Sequence, residues 1–251
     1  MPIWNRNKPL MAFAALLLTA ACSDDKKDGT SAMAKLAMTN STETNLAATQ
    51  SDEGMMPTVL GLKVVSVSLQ PESRSCLNIP CPTIWASSLC SSPDYESEKD
   101  GKMYKYAGAP TCPEDIDIPY LDLMQSTSAV NETLNSQRRP LLPGDYAYVT
   151  ITTCKETDTS SLEFQAEGMS APARPESCNE IVSTMNPITI GEGEAVTVNL
   201  SYQISNFVMG DDYSYDPEVD SDKSTYGYEG DGVRRILLLP NDFFKLTFTK
   251  E

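Results

Sequence analysis

The amino-acid sequence predicts an all-β protein: an antiparallel β-sandwich of about seven strands with long loops and three disulfides, preceded by a disordered tether. Three observations carry this expectation. Beyond residue 58, apolar side chains alternate with period two over many short stretches. Most of those stretches end on Pro, Gly or Asn, residues that break and turn strands. Six cysteines follow the N-terminal region, an even set of the kind a disulfide framework requires.

The chain begins with a basic segment, residues 1–9, carrying Arg6 and Lys8. Residues 10–21 are apolar apart from Thr19, and Cys22 follows at once. A basic start, a short apolar run and small residues at the exit make a secretory signal over residues 1–21, too short to remain as a spanning helix. The run Leu18-Thr19-Ala20-Ala21-Cys22 resembles a bacterial lipobox. In that motif the signal is cut before a cysteine bearing a diacylglyceryl group, so the resemblance implies a lipid anchor on Cys22 and attachment to a membrane. Cysteine parity points the same way: of seven cysteines, setting Cys22 aside leaves six. Ser23 stands where an aspartate would mark inner-membrane retention in enteric bacteria, which implies the outer membrane.

Residues 22–57 hold this cysteine and a stretch rich in Ser, Thr, Ala and Asp with no sustained apolar face. They read as a flexible linker with a root-mean-square reach of roughly 30 Å. Residues 58–251 read as a single domain. Val59–Leu69 is the first expected strand, and its apolar phase shifts near Val64-Val65, which suggests a bulge or burial on both faces. Further strands are expected at Asp117–Met124, Tyr146–Thr153, Leu162–Ala166, Val196–Ile204, Arg235–Leu239 and Phe243–Thr249. In Val196–Ile204 the residues Val196, Val198, Leu200, Tyr202 and Ile204 share one face. Only Thr127–Asn135 suits a helix.

Residues 118–151 contain IPYLDLM and then LLPGDYAYVTI, in which Leu142-Pro143-Gly144 precedes a strand bearing Tyr146. This pattern is similar to one in bacterial surface lipoproteins of a carbohydrate-binding-like or transthyretin-like sandwich family. The resemblance implies a fold and a location, and no activity.

Charge and composition narrow the function. The formal charge is −16, and removal of residues 1–21 takes two bases and no acid, leaving −18. Such a field repels phosphate backbones and anionic head groups, so nucleic acid is excluded as a partner and membrane attachment falls to the anchor. The chain has no histidine, which excludes Ser-His-Asp and Cys-His nucleophiles, His-based zinc sites and a His general base.

Four groups of residues remain as candidates. Cys76, Cys81, Cys90, Cys112, Cys154 and Cys178 allow fifteen pairings, of which the sequential one staples three separate excursions from the sheets. No C-x-x-C pair exists, so structural disulfides are expected rather than a metal or redox site. The acidic stretch 210–232 carries Asp216, Glu218, Asp220 and Asp222, hard oxygen ligands that suit Ca²⁺, although a solvated loop has the same composition. Tyr213, Tyr215, Tyr226 and Tyr228 lie in that stretch and offer rings for a glycan, or anchors for the loop. Trp85 is expected to pack in the core or against a disulfide. The leading expectation is a non-enzymatic envelope lipoprotein that binds or assembles with an envelope partner, with no cofactor. A calcium- or glycan-binding module using residues 210–232 is the alternative, and a hydrolase working with two carboxylates is the third.

Overall fold

A computed structural model describes residues 27–41, 57–72, 80–155, 158, 161–166, 169–175, 178–204, 208–211, 224–230, 233–239 and 244–250. The elements run β1 (Lys27–Asp28), β2 (Ala32–Asn40), β3 (Val59–Leu62), β4 (Ser66–Gln70), β5 (Thr83–Ala86), β6 (Asp94–Lys99), β7 (Lys102–Ala107) and β8 (Leu121–Asp122). Helix α1 (Thr127–Leu134) follows, then β9 (Arg139–Leu141), β10 (Gly144–Thr152), β11 (Leu162–Ala166), β12 (Met169–Pro175) and β13 (Asn179–Ile190). The chain closes with β14 (Ala195–Tyr202), β15 (Val208–Asp211), β16 (Ser224–Gly230), β17 (Val233–Leu239) and β18 (Phe244–Lys250). These strands form sheets of order β18-β14-β2-β9, β13-β10-β4-β5, β15-β17-β16-β12-β11-β3-β8 and β1-β7-β6. One hydrophobic cluster draws on the first three, so the protein is an all-β sandwich with a shared core.

The largest correction concerns residues 22–57, expected as a flexible linker. Within them, Ala32–Asn40 form β2, which lies between β14 and β9 rather than outside the domain. Ala32, Ala34, Leu36 and Met38 are buried, and the residues between them are half-buried. The strand runs parallel to β14, with Leu36 opposite Val198 and Met38 opposite Leu200, so the sandwich is not purely antiparallel. Ala, Met and Lys have weak strand preference, and burial of one face overrides it here.

β9 pairs with β2 only over Ala32–Ala34, which leaves the rest of that β2 edge without a strand. Helix α1 and its C-terminal flank take the strand's place. The Leu36 N–H donates to Ser136 Oγ at 3.1 Å, and the Asn40 N–H to Thr127 Oγ1 at 3.0 Å. Between them, Asn131 accepts from the Met38 N–H at 2.9 Å and donates back to the Met38 carbonyl at 2.7 Å. Its side-chain amide thus does what a neighbouring peptide group would do. The helix itself starts at Ser126, whose hydroxyl accepts from the Ala129 N–H, and ends at Asn135 in the left-handed region.

The expected strand Val59–Leu69 is broken where its apolar phase shifts. β3 belongs to the seven-stranded sheet and β4 to another, so Lys63–Val65 form a corner at which the chain changes sheet. Asp117–Met124 contributes only the two-residue β8. The Leu142-Pro143 turn also joins two sheets, from β9 to β10. There the buried Tyr146 hydroxyl donates to the Leu142 carbonyl, the tyrosine-corner arrangement of β-sandwiches. Burial pushes the Tyr146 phenol well above its ordinary pKa.

β6 and β7 form a hairpin that the expected strands did not include. Asp100 and Gly101, both with positive φ (53° and 72°), make its two-residue turn. The disulfide Cys90–Cys112 closes the base of this excursion, beside a bridge between Ser91 and Thr111. Cys154–Cys178 forms a second disulfide. Both follow the sequential pairing. Cys81 is disulfide-bonded as well, and Cys76 lies outside the described residues.

The start of the described chain is fastened to this excursion. β1 pairs in parallel with β7, and the Gly29 N–H donates to the Met103 carbonyl at 2.8 Å. A side chain at Gly29 would bring its Cβ within 2.3 Å of the Tyr104 ring. The Thr30 N–H donates to Glu192 Oε1 at 3.0 Å, and Lys102 Nζ lies 2.7 Å from Glu192 Oε2. Among the described residues no helix is long and apolar enough to cross a membrane.

Candidate functional site

A cleft of about 490 Å³ opens where β5, β8 and β9 meet the C-terminal end of α1. Each of these strands is the last in its own sheet, so three sheet edges and a helix end converge. All three are short, between two and four residues. Edges this short offer little template for pairing with another chain.

Trp85 forms one wall. The register of β5 against β4 shifts between Val67 and Ser68, which places Ile84 in the core and leaves the next residue, Trp85, half-buried. Its indole N–H donates to the Leu134 carbonyl at 3.0 Å, satisfying one of the acceptors that a helix end leaves unpaired. Indole and helix end therefore hold each other in place. Trp85 was expected in the core or beside a disulfide; it does pack against the core, and it also faces the cleft.

Tyr120 lines the cleft as well. Its Cβ would stand 2.9 Å from a Cβ at residue 61, an approach that glycine permits. The Lys63 ammonium lies 5.1 Å from the centre of the Tyr120 ring, within cation–π range, and 2.6 Å from Asp117 Oδ1. Burial of Lys63 works to lower its pKa. The hydrogen bond that Lys63 donates to Asp117, the Tyr120 phenol and nearby carboxylates outweigh burial and hold the ammonium above its usual value. The same hydrogen bond holds the Asp117 carboxyl below its usual value.

Arg139 enters from β9. Burial pushes its guanidinium below the usual arginine value, with an opposing pull from the Asp94 carboxylate. The guanidinium makes no hydrogen bond or ion pair among the described residues, whereas that of its neighbour Arg138 donates to the Val196 carbonyl. Among the described residues no Asp or Glu lines the cleft. The remaining polar lining comes from hydroxyl and amide side chains, including Ser87, Ser88, Asn135 and Gln137. Leu89 is 44% exposed at the rim, next to the Cys90–Cys112 disulfide.

Of the residues singled out from the sequence, Trp85 and Cys90 line the cleft. Cys22, Tyr213, Tyr215, Asp216, Glu218, Asp220 and Asp222 lie outside the described residues. Tyr226 and Tyr228 are on β16, opposite Leu237 and Arg235 of β17. The acidic stretch 210–232, read as one loop, is strand near both ends, through β15 and β16. Among the described residues no group of three or more Cys, Asp or Glu is placed to hold a metal ion.

Fold and cleft together define a disulfide-bonded β-sandwich with an aromatic cleft at a junction of sheet edges. No protein family, curated protein or solved structure matches the chain.

Proposed function

We propose that the protein is a non-enzymatic envelope lipoprotein, held to the outer membrane by lipid on Cys22, whose sandwich binds a ligand in the cleft beside Trp85. The observation that carries the binding reading is the cleft itself: a concave surface with two aromatic residues, hydroxyl and amide groups and a cation, Arg139, that has no ion-pair partner among the described residues. Among the described residues the lining holds no carboxylate, and the cysteine it holds, Cys90, is in a disulfide, so these residues supply neither a carboxylate pair nor a thiol nucleophile. That supports binding over hydrolysis. Disulfides are compatible with a location outside the cytoplasm. The signal-like N-terminus and the cysteine left over beside an even set support the anchor.

Two measurements test the proposal. Replacing Cys22 with Ala should move the protein from the membrane to the soluble fraction; retention on the membrane refutes the anchor. Removal of residues 1–21 takes Trp4, so Trp85 is the single tryptophan of the processed chain. Its fluorescence should respond saturably to a member of a panel of neutral and acidic oligosaccharides, and Trp85→Ala should abolish binding measured calorimetrically. A panel without any response refutes the cleft as a glycan site.

A further inference from the structure

We infer that the cleft selects an acidic sugar, with the carboxylate of a uronic-acid ring paired to Arg139 and the ring lying against Trp85 and Tyr120. The inference rests on the cleft being the binding site and names the ligand class it takes.

The argument starts from charge. A partly buried guanidinium has lost hydration, and such a group is normally compensated by an anion. The Arg139 guanidinium has no ion pair or hydrogen bond among the described residues, and the Asp94 carboxylate that acts on it does not line the cleft. Yet the surrounding molecule is strongly acidic, at −16 overall. Among the described residues none of the lining side chains is a carboxylate. The anion that completes Arg139 is therefore expected from the ligand, and a planar carboxylate matches the two-pronged donor geometry of arginine.

The rest of the lining identifies what carries the carboxylate. Trp85 and Tyr120 supply flat apolar rings against which the axial C–H face of a sugar packs. The exposed end of α1 and the amides of Asn135 and Gln137 offer acceptors and donors for ring hydroxyls. A hydrophobic acid would leave these polar groups unmatched, and a neutral sugar would leave Arg139 unmatched. A peptide chain end is the other source of a carboxylate, but the bordering strands are too short to hold a peptide by backbone pairing.

The test uses the lipid-free processed chain carrying Cys22→Ala, with Trp85 emission as the signal. The probes are trigalacturonate, its uncharged counterpart galactotriose, and trialanine with a free C-terminus. Trigalacturonate is expected to bind at least tenfold more tightly than galactotriose, with the difference shrinking as salt is added. Arg139→Gln should weaken trigalacturonate at least tenfold and remove the difference, while Arg138→Gln leaves it. Because Arg139 has no ion pair to lose among the described residues, Arg139→Gln should melt at or above the parent temperature. A clear drop in melting temperature makes Arg139 structural and overturns the inference. Equal binding of the two sugars, or tighter binding of trialanine, also overturns it. With equal binding lost in Trp85→Ala, the cleft reading survives and only the acidic selectivity falls. If none of the probes binds, both fall.

Discussion

Replacing Leu36 with Ala separates a strand from a tether in one measurement. Leu36 is 1% exposed, lies opposite Val198 on β14 and belongs to the shared core cluster. Removing its three outer carbons loses their burial and leaves a hole that a two-sided neighbourhood collapses into only partly. Large-to-small changes of this kind cost about 2–5 kcal/mol. The site lies in the middle of a nine-residue strand with a partner along one side and a helix on part of the other, so little collapse is available. A loss of about 3 kcal/mol is the expected result. For a domain of this size that corresponds to a fall of roughly 6–12 °C in melting temperature. Urea unfolding gives the free energy directly, with Lys35→Ala on the half-buried face as the control, expected within about 0.5 kcal/mol of the parent. If Leu36→Ala and Lys35→Ala are both neutral, residues 32–40 are a tether after all and the core described here is wrong.

Asn131→Ala removes both bonds to Met38 and exposes a gap on the β2 edge, for an expected cost of about 1–3 kcal/mol by urea unfolding. Asn131→Asp should cost at least as much, because a carboxylate cannot donate to the Met38 carbonyl. Removing the Cys90–Cys112 disulfide as a double Ser variant should lower stability by about 3 kcal/mol, and mass spectrometry of the parent should find these two cysteines in one linked peptide pair. The Lys63–Asp117 pair makes stability depend on pH at both extremes. The depressed Asp117 value adds stability that is complete above the ordinary carboxylate range and is lost as pH falls through the lower folded value. The raised Lys63 value adds stability that is complete below the ordinary lysine value and is lost as pH rises through the higher folded value. Asp117→Asn should therefore be less stable than the parent at neutral pH, with the deficit shrinking below pH about 4 and above pH about 10. A deficit that stays constant across that range removes the ion pair as its cause.

Where the sequence carried a strong period-two signal, the strands are in place. Leu162–Ala166 is β11 with the expected bounds, and Val196, Val198, Leu200, Tyr202 and Ile204 are all buried. The phase shift at Val64-Val65 pointed to a real break, although it marks a change of sheet rather than a bulge. β2 was hidden because alanine and methionine occur on both of its faces, so alternation of burial left little alternation of polarity. β6 was hidden for a different reason: DYESEK is mostly exposed on both faces and has no apolar side to detect. The Asp100-Gly101 pair was its one visible signature, since that dipeptide favours a two-residue hairpin turn. The cleft was illegible for a third reason. Trp85, Tyr120 and Arg139 come from separate strands and turns, and nothing local marks them as neighbours. Only Trp85 stood out by residue type, and its role as a wall depends on a register shift that pairing alone reveals.

The fastening of β1 to β7, and of Thr30 to Glu192, changes what a lipid on Cys22 does. Four residues, Ser23 to Lys26, separate that cysteine from β1, and five chain steps span at most about 18 Å. A leash of 35 residues would let the domain tumble and sweep a wide volume. If Cys22 carries the proposed lipid, a mooring this short would give the domain a heading, with the end of the sandwich that carries β1, β7 and the turn at Glu192 toward the bilayer. The protein would then stand on the membrane as an oriented array of like-facing units, with its cleft at a fixed bearing to the surface below.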